Sequence, residues 1–483
     1  MRRFNFCNVF EWSLMKLTKS DFLLYMDAPM HLWAKVQNQQ TNATPTLYDQ
    51  HLMKQGYEVE KVAKHFLEKH ILPKYKNAEL LWQKTYVSGQ YQTRADGVIH
   101  ELDSDAYHLY EIKSSTSTKK EHLPDATFQS IVIGQSINLE SIHLVLLNDE
   151  YVRGDEIDIE QLFSVPDITS EVAEMTPDIL TKMSEAVKLM EMESSEAALN
   201  CLVPKTCPCP QLCHPGLPKA SIYNIPNLTP KKRRELDDMK VISIDDIEDD
   251  YPLTPKQRKI VDVMQSKTPY LDKPTVTGLL QSLTYPLYFL DYETYDEAMP
   301  LYKGHKPYQK MVFQFSLHIV SSNSETVVHE EYLALEPGDP AKGLVKHLRR
   351  CISDQGTVIV WNKAFEGGRN KEMAEQFPEY KDFLLDVNNR MFDLMEIVSK
   401  GYFLHPDFLG SWSIKNVLPV MEPEFSYKSL AINKGDQAMI EWYEMVNGDQ
   451  SKKDAVSKAL LQYCGLDTLA MVKVWERLRE LVN

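Results

Sequence analysis

Hydrophobic and polar positions divide the chain into three blocks. Residues 1–215 begin with helical periodicity and continue with short strand-like runs, of which 107–113 is the clearest. Residues 216–280 are charged and punctuated by proline, and residues 281–483 alternate buried strands with helices. This pattern predicts an α/β protein in which a helical connector joins two domains, the second built on a mixed sheet.

The last two blocks allow more detailed predictions. In residues 281–483 we expect strands at 287–292, 311–320, 329–333 and 357–361, and helices at 340–351, 366–377 and 454–482. In the connector, Thr229 and Thr254 each precede a proline and a basic run, which is typical of an N-capped helix. In one interpretation, a nucleic-acid backbone is contacted by the basic run of the first helix: Lys231, Lys232, Arg233 and Arg234. The simpler interpretation is a solvated, charged helix face.

The composition is that of a soluble globular protein, with 43% hydrophobic and 25% charged residues. No apolar run is long enough to cross a bilayer, and the N-terminus lacks the apolar core of a signal peptide, so we expect a cytoplasmic protein. The net charge of −16 argues against a passive coat for nucleic acid. It does not exclude a nuclease, because metal-dependent nuclease sites are themselves rich in carboxylates.

Two carboxylates, Asp291 and Glu293, lie one residue apart at the end of an apolar run. Alternate side chains of a strand point to the same face, so the two acids project into one small volume. Unpaired like charges that close are costly unless they share a proton or a cation. The sequence therefore predicts a metal site, and carboxylate oxygens suit Mg²⁺ or Mn²⁺.

Further polar residues extend this set. Glu366 stands at the start of a helix after a buried strand, and Asp393 follows a short apolar run. Tyr463 and Asp467 are four residues apart on a predicted helix, where they share a face. Three motifs thus follow one another along the chain: Asp-x-Glu on a first strand, Asn-x-x-Phe-acid after a later strand and Tyr-x-x-x-Asp on a last helix. Together they resemble the three motifs of DnaQ-like DEDD exonucleases of the Tyr type.

This resemblance implies an RNase H-like fold that cuts nucleic acids from the 3′ end with two divalent metals. It implies that Asp291, Glu293 and Asp467 are metal ligands and that Tyr463 orients the attacking water. The chain departs from the family at Glu366, where an aspartate is usual, and Asp393 is the alternative ligand.

A second set of polar residues lies in the first block. Glu111 and Lys113 share a strand face, Asp96 lies on the preceding strand, and Gln129 follows on a helix. Such a set can bind Mg²⁺ and activate a water, although a cross-strand ion pair is the simpler alternative. The set resembles the RecB-like branch of the PD-(D/E)XK nuclease fold. Glu60 stands near the position where that branch usually has a histidine.

Four cysteines fall within one short segment, which in a cytosolic protein indicates a metal or cluster site: Cys201, Cys207, Cys209 and Cys213. The RecB-like resemblance implies a 4Fe–4S cluster held by one early cysteine and a late trio, here Cys201, Cys207 and Cys213. Ala28 occupies the place of the early cysteine. Three alternatives follow: Cys7 or Cys209 substitutes for it, the cluster is lost, or zinc replaces it.

The whole arrangement resembles an uncharacterised bacterial family that joins a RecB-like nuclease domain to a YprB-like, RNase H-like exonuclease domain. The resemblance implies a nuclease with two sites that acts on nucleic acid, DNA rather than RNA, in repair or in defence against foreign DNA. Two alternatives are kept. In one, a single domain cuts while the other clamps nucleic acid or binds a partner; in the other, the chain is a non-catalytic scaffold whose acidic surface recruits a basic partner.

Overall fold

The structure is a computed structural model that describes residues 15–39, 45–322, 327–448 and 450–483. Their fold is mixed α/β, with several sheets and helices distributed along the chain. Two compact units are present. The first comprises residues up to Gly216 together with Glu297–Gln309, and the second comprises Leu217–Asp296 and Lys310–Asn483.

The unit boundaries differ in two respects from the blocks of the sequence. The connector is not a separate body, because its helices belong to the second unit. The segment Glu297–Gln309 follows a strand of the second unit but belongs to the first. There, the Ala298 amide donates a hydrogen bond to Gln55 Oε1 at 3.0 Å.

Two sheets form the first unit. The larger has the order Ala78–Trp82, Gly97–Glu101, Ala106–Lys113, Leu139–Leu147, Phe163–Ser164, and the smaller has the order Leu17–Thr18, Tyr91–Arg94, Thr85–Ser88. The strands Ala106–Lys113 and Leu139–Leu147 are parallel, so the chain between them crosses over through the helix His122–Gly134. The other α-helices are Lys19–Asp27, Pro29–Val36, Leu47–Phe66, Ile159–Leu162, Thr169–Met190 and Pro210–Cys213.

A five-stranded mixed sheet forms the centre of the second unit, in the order Val327–Leu333, Met311–Val320, Leu287–Tyr295, Thr357–Val360, Met391–Asp393. The first three strands are antiparallel, and the last two join in parallel. A small sheet pairs Tyr270–Leu271 with Phe403–Leu404. The α-helices are Pro230–Asp238, Pro255–Ser266, Lys273–Gln281, Ala341–Cys351, Lys363–Gln376, Lys381–Asn389, Glu396–Ser399, Ile414–Met421, Gly435–Asn447 and Lys453–Val482.

Alternation along the central strand Leu287–Tyr295 decides which side chains enter the core. Tyr288, Leu290 and Tyr292 pack with the helices on one face of the sheet. The intervening positions face the opposite way, where the ring of Phe289 lies 5.7 Å from that of Trp475 on the helix Lys453–Val482. Asp291 and Glu293 share the face of Phe289, so the fold directs both acids towards this last helix.

The connector helices begin as their sequence predicts. The Thr229 hydroxyl accepts a hydrogen bond from the Lys232 amide, and the Thr254 hydroxyl accepts one from the Gln257 amide. The basic side chains of the first helix contact neighbours in the same unit: Lys232 the Pro252 carbonyl, Arg233 the Tyr223 ring and Arg234 the Asp237 carboxylate. These contacts account for much of the basic run without a nucleic acid.

None of the helices in the described ranges combines the length and the apolar composition that a membrane-spanning segment requires.

Candidate active sites

The acids predicted in the second unit converge. Asp291 and Glu293 come from the central strand, Asp467 from the helix Lys453–Val482, and Glu366 from the first turn of the helix Lys363–Gln376. Asn362 caps the helix Lys363–Gln376: its side chain accepts a hydrogen bond from the Phe365 amide, which fixes the turn that carries Glu366. Glu293, Glu366 and Asp467 are each less than a tenth exposed.

Burial and mutual repulsion keep protons on this cluster in the absence of a cation. Burial, followed by the charges of Asp467 and Glu293, raises the pKa of Asp291 well above its ordinary value. Burial and the charge of Asp467 do the same to the pKa of Glu293. Burial raises the pKa of Glu366 to about 8 and that of Asp467 to about 6. Four carboxylates that oppose one another's ionisation form a site prepared for positive charge.

Asp393, the alternative to Glu366, has a different environment. Its Oδ2 accepts a hydrogen bond from the Lys363 amide at 3.0 Å and its Oδ1 accepts one from the Met395 amide at 3.1 Å. The first bond holds the start of the helix that carries Glu366, and the second holds the turn that begins the helix Glu396–Ser399. By contrast, Glu366 Oε2 is buried without a hydrogen-bond partner among the described residues. Of these two residues, Glu366 therefore has a carboxylate oxygen that no hydrogen bond from the described residues engages, whereas both oxygens of Asp393 accept one.

Tyr463 lies one helical turn before Asp467, and its hydroxyl helps to limit the rise in the pKa of that carboxyl. Two residues that the sequence motifs did not indicate complete this corner of the site. Lys415 Nζ donates a hydrogen bond to the Tyr463 hydroxyl at 2.8 Å, and the Tyr427 hydroxyl donates one to Asp467 Oδ1 at 2.6 Å. Lys415 also opposes the rise in the pKa of both Glu293 and Asp467, so it is a cation that faces these two acids, as Arg369 is for Glu366.

Cys464 is the third unpredicted neighbour. Its thiol donates to Asp291 Oδ2 at 3.6 Å, and burial raises the pKa of the thiol well above its ordinary value. The ligand atoms of Asp291, Glu293 and Cys464 all lie within 4.8 Å of one another. Cys464 lies inside the Tyr-x-x-x-Asp motif, directly after Tyr463 and one turn before Asp467. This position in the motif is the sequence signal that could have indicated its place in the site.

The polar set of the first unit also comes together. Asp96 Oδ2 accepts a hydrogen bond from the Ile112 amide at 2.9 Å, which places it beside Glu111. Lys113 Nζ donates to Glu111 Oε1 at 2.8 Å and also to Asp125. Gln129 Nε2 donates to Asp125 Oδ1 at 3.0 Å, so the helical glutamine reaches the set through Asp125.

A second lysine enters this site from the helix Lys19–Asp27. Lys19 Nζ donates to Glu111 Oε1 at 2.9 Å and lies 3.6 Å from Asp125 Oδ1. Burial opposes ionisation of Glu111, but Lys113 and Lys19 hold its pKa below the ordinary value. Burial and the charge of Glu111 raise the pKa of Asp96 to about 8. No spacing pattern marked Lys19, since it lies 92 residues from Glu111 along the chain.

Both an ion pair and a cation site are compatible with these contacts. Lys19 and Lys113 both donate hydrogen bonds to Glu111 Oε1, as the ion-pair interpretation requires. Glu111 Oε2 and Gln129 Oε1 remain buried without hydrogen-bond partners within the described ranges. Such orphaned oxygens are costly unless a further donor or cation is bound.

Glu60 belongs to a different feature of the first unit. Its carboxylate accepts a hydrogen bond from Gln83, and it lines a groove of about 660 Å³. The other groove walls include a second acid, Glu58, which pairs with Lys61 at 2.7 Å, and several basic and aromatic side chains: Lys54, Tyr57, Lys61, Lys64 and Trp82. Gln83, the partner of Glu60, also donates its backbone amide to the Asp96 carbonyl at 2.9 Å.

The late cysteines assemble with a histidine. The ligand atoms of Cys201, Cys207, Cys213 and His31 all lie within 4.8 Å of one another. His31 comes from the helix Pro29–Val36, three residues after Ala28, and its Nε2 lies 3.5 Å from Cys207 Sγ. Cys7 lies outside the described residues.

Cys209 lies beside this group without joining it. Its Sγ is 3.7 Å from Cys213 Sγ. Hydrogen bonding from Cys213, followed by His214 and His31, lowers the pKa of Cys201 to about 2. This group holds three cysteines and one histidine, whereas the RecB-like resemblance implies an iron–sulfur cluster held by four cysteines.

Comparison with known proteins identifies relatives without a described activity. Residues 288–413 match the Domain of unknown function (DUF2779). The chain is 30% identical over 208 residues to the uncharacterized protein MG366 homolog of Mycoplasma pneumoniae, an alignment that covers 38% of this chain and 31% of that protein. It is 31% identical over 147 residues to the uncharacterized protein UU173 of Ureaplasma parvum, covering 26% of this chain and 21% of that protein.

The chain thus spans less than a third of the length of either relative in these alignments. No solved structure matches it. The DUF2779 match contains Asp291, Glu293 and Glu366, and it ends before Tyr463 and Asp467.

Proposed function

We propose that this chain is a metal-dependent nuclease whose second unit shortens DNA from the 3′ end. The observation that carries the proposal is the convergence of four carboxylates from three elements, of which Glu293, Glu366 and Asp467 are buried and Asp291 is partly buried. A structural core gains nothing from such a cluster, because like charges in a buried volume oppose folding.

Mg²⁺ or Mn²⁺ fits the donor set of this site. All four ligands are hard carboxylate oxygens, and Glu366 Oε2 lacks any other partner among the described residues. When bound, two such ions supply the Lewis acidity that activates a water and stabilises the leaving oxygen of a phosphodiester.

Tyr463 and Lys415 supply the orienting groups. The Tyr463 hydroxyl, held by Lys415, is suited to position the attacking water next to Asp467. Burial raises the pKa of Tyr463 far above its ordinary value, so the hydroxyl remains protonated and acts by orientation instead of as a base. Lys415, as the facing cation, also offsets part of the negative charge when phosphate enters.

The sheet supports the RNase H-like assignment of this unit. Numbered along the chain, its strands have the order 3-2-1-4-5, with the second strand antiparallel to the first and the fourth parallel to it. The acids then lie on the first strand and on helices that flank the sheet. This placement agrees with the three DEDD motifs in their order along the chain.

For the first unit we propose a second nuclease site of the PD-(D/E)XK type, with Asp96 and Glu111 as ligands and Lys113 beside the reacting water. Its support is the orphaned oxygen of Glu111 next to Asp96, a partly buried carboxyl whose pKa is raised to about 8 by burial and by the charge of Glu111. The crossover helix between two parallel strands supplies Gln129, as the RecB-like resemblance implies.

A second candidate function for the first unit is a nucleic-acid clamp without cleavage. Lys19 and Lys113 already neutralise Glu111, and the groove beside Glu60 offers lysines for phosphates and aromatic rings for bases. Charge reversal of Lys61 and Lys64 should then weaken binding of single-stranded DNA. It should also lower the number of counterions released on binding, read from the salt dependence of the affinity, by about two. Lys69→Glu, on an exposed lysine outside the groove, is the control.

The test uses single- and double-stranded DNA and RNA, labelled at either end, with Mg²⁺ or Mn²⁺. Wild type is compared with Asp291→Ala, Lys113→Ala and the double variant. We expect stepwise loss from the 3′ end that Asp291→Ala abolishes. Cutting that survives Asp291→Ala and disappears with Lys113→Ala assigns the activity to the first unit alone. Absence of any degradation by wild type favours the non-catalytic scaffold.

A further inference from the structure

We infer that His31 completes a site for one zinc ion with Cys201, Cys207 and Cys213. This site replaces the four-iron cluster that the RecB-like resemblance implies. The inference concerns the stability of the first unit and is independent of the proposed nuclease activity.

The spacing of the ligand atoms indicates a single ion. A tetrahedral zinc site with bonds of about 2.3 Å to sulfur places its ligand atoms about 3.8 Å apart. In a four-iron cluster each ligand binds a different iron at the corner of a cube, so the ligands stand much further apart. The four atoms found here lie within 4.8 Å of one another, which matches the compact arrangement.

His31 is oriented for coordination. The side chain is 1% exposed, and Asp27 Oδ2 lies 2.7 Å from its Nδ1, one helical turn away, an ion-pair distance although the two atoms do not have hydrogen-bond geometry. This contact leaves Nε2 directed to Cys207 Sγ at 3.5 Å. A carboxylate that holds the distal nitrogen of a ligating histidine is the usual outer partner of a zinc ligand, since it fixes the tautomer and raises basicity.

The location of His31 explains how the chain tolerates the loss of the early cysteine. Ala28 is the N-cap residue of the helix Pro29–Val36, is 2% exposed and packs in the same apolar cluster as Cys201 and Cys213. His31 lies in the first turn of the helix that Ala28 caps, so its imidazole reaches the cysteines from the same end of the helix.

The site joins distant parts of the chain. His31 and Cys207 are 176 residues apart in sequence, so one ion connects the helix Pro29–Val36 to the segment 201–213. Because an unfolded chain has no such preformed site, the free energy of zinc binding stabilises the folded first unit.

The experiment measures metal and labile sulfide in the full chain, purified without oxygen from cells supplied with both iron and zinc. We expect one zinc bound at the cysteines and no labile sulfide. X-ray absorption at the zinc edge should show three sulfurs at about 2.3 Å and one nitrogen at about 2.0 Å. Stoichiometric iron with labile sulfide, or a chain without metal, overturns the inference.

Variants assign the fourth ligand. His31→Ala and Cys207→Ser should lose the zinc to a chelator, and Asp27→Asn should weaken zinc retention by about tenfold. Cys209→Ser and His214→Gln are the matched controls, because both side chains lie beside the group. Zinc retained by His31→Ala but lost by either control overturns the assignment.

A second variant keeps the inference testable if His31→Ala does not fold. His31→Cys should retain one zinc, with a shell of sulfur atoms only. An unchanged shell of three sulfurs and one nitrogen in this variant shows that another histidine is the ligand and contradicts the inference.

Discussion

Lys415 Nζ donates a hydrogen bond to the Tyr463 hydroxyl at 2.8 Å, across 48 residues of sequence. The same ammonium group lies 4.7 Å from the centre of the Tyr463 ring and bonds to the Asn433 carbonyl at 3.0 Å. Two fixed partners leave the lysine little freedom, so it holds the tyrosine in one orientation. The acid cluster thereby acquires a cation and an oriented hydroxyl from the same contact.

Replacement of Lys415 should impair this orientation. We expect Lys415→Met to lower kcat by about 100-fold, because small displacements of an orienting group have effects of that size. KM for DNA should change much less, and the far-UV spectrum should remain that of wild type. Lys428→Met, on an exposed lysine of the same unit, is the control. An equal loss of kcat in both variants would contradict a specific role for Lys415.

Glu366 offers a test that separates function from stability. Glu366→Gln should abolish metal-dependent cleavage, yet raise the free energy of unfolding of the metal-free protein by about 1 kcal/mol, since it removes a buried carboxyl that must hold a proton in the folded state but not in the unfolded chain. Glu366→Asp, which restores the usual residue of the DEDD motif, should keep measurable activity. Chemical denaturation and cleavage are measured on the same preparations. Destabilisation by Glu366→Gln would indicate a structural role instead.

The acid cluster should make stability depend on pH in a defined direction. Its carboxyl pKa values are raised on folding, to about 6 for Asp467 and about 8 for Glu366. The metal-free folded state therefore holds protons that the unfolded chain releases, and the free energy of unfolding from this cluster falls as pH rises from about 5 to about 8.

A divalent cation should reverse this trend. At pH 8, Mn²⁺ at 100 times its Kd should stabilise the protein by about 2.7 kcal/mol, and at pH 5.5 the stabilisation should nearly vanish because protons compete. Thermal unfolding with and without Mn²⁺ at the two pH values measures both effects. Equal stabilisation by Mn²⁺ at both values would contradict a site made of these acids.

The lysines of the first unit distinguish an active site from an ion pair. In an Asp291→Ala background, Lys113→Ala should abolish any remaining cleavage if Asp96 and Glu111 form a working site. Lys19→Met should weaken it less, since Lys113 still contacts Glu111. Lys119→Ala, on an exposed neighbour, should leave it unchanged. If no cleavage remains in the Asp291→Ala background, while DNA binding depends on Lys61 and Lys64, the unit is a clamp.

Much of the second unit could be predicted because its signals are local. The strand Met311–Val320 and the helix Lys453–Val482 lie within one residue of their predicted bounds, since long periodic runs with buried faces leave few alternatives. The placement of Asp291 and Glu293 on one face followed from strand alternation alone, and that of Tyr463 and Asp467 from helical spacing.

The residues that the sequence did not reveal depend on tertiary contacts. Lys19, Lys415 and His31 approach their sites from helices far away along the chain, and none lies at a spacing that marks it. The segment Glu297–Gln309 joins the first unit for a similar reason, because the hydrogen bond between Ala298 and Gln55 has no signature in the sequence.

The most direct test of the central claim is a time course with a 5′-labelled single-stranded DNA oligonucleotide and Mn²⁺. Wild type is compared with Asp291→Asn purified in parallel, and with an oligonucleotide whose 3′-terminal linkages resist cleavage. We predict a ladder of products that shorten one nucleotide at a time from the 3′ end, absent with Asp291→Asn and with the protected end. Cleavage of equal rate and pattern by wild type and Asp291→Asn would contradict the assignment of the acid cluster as the exonuclease site.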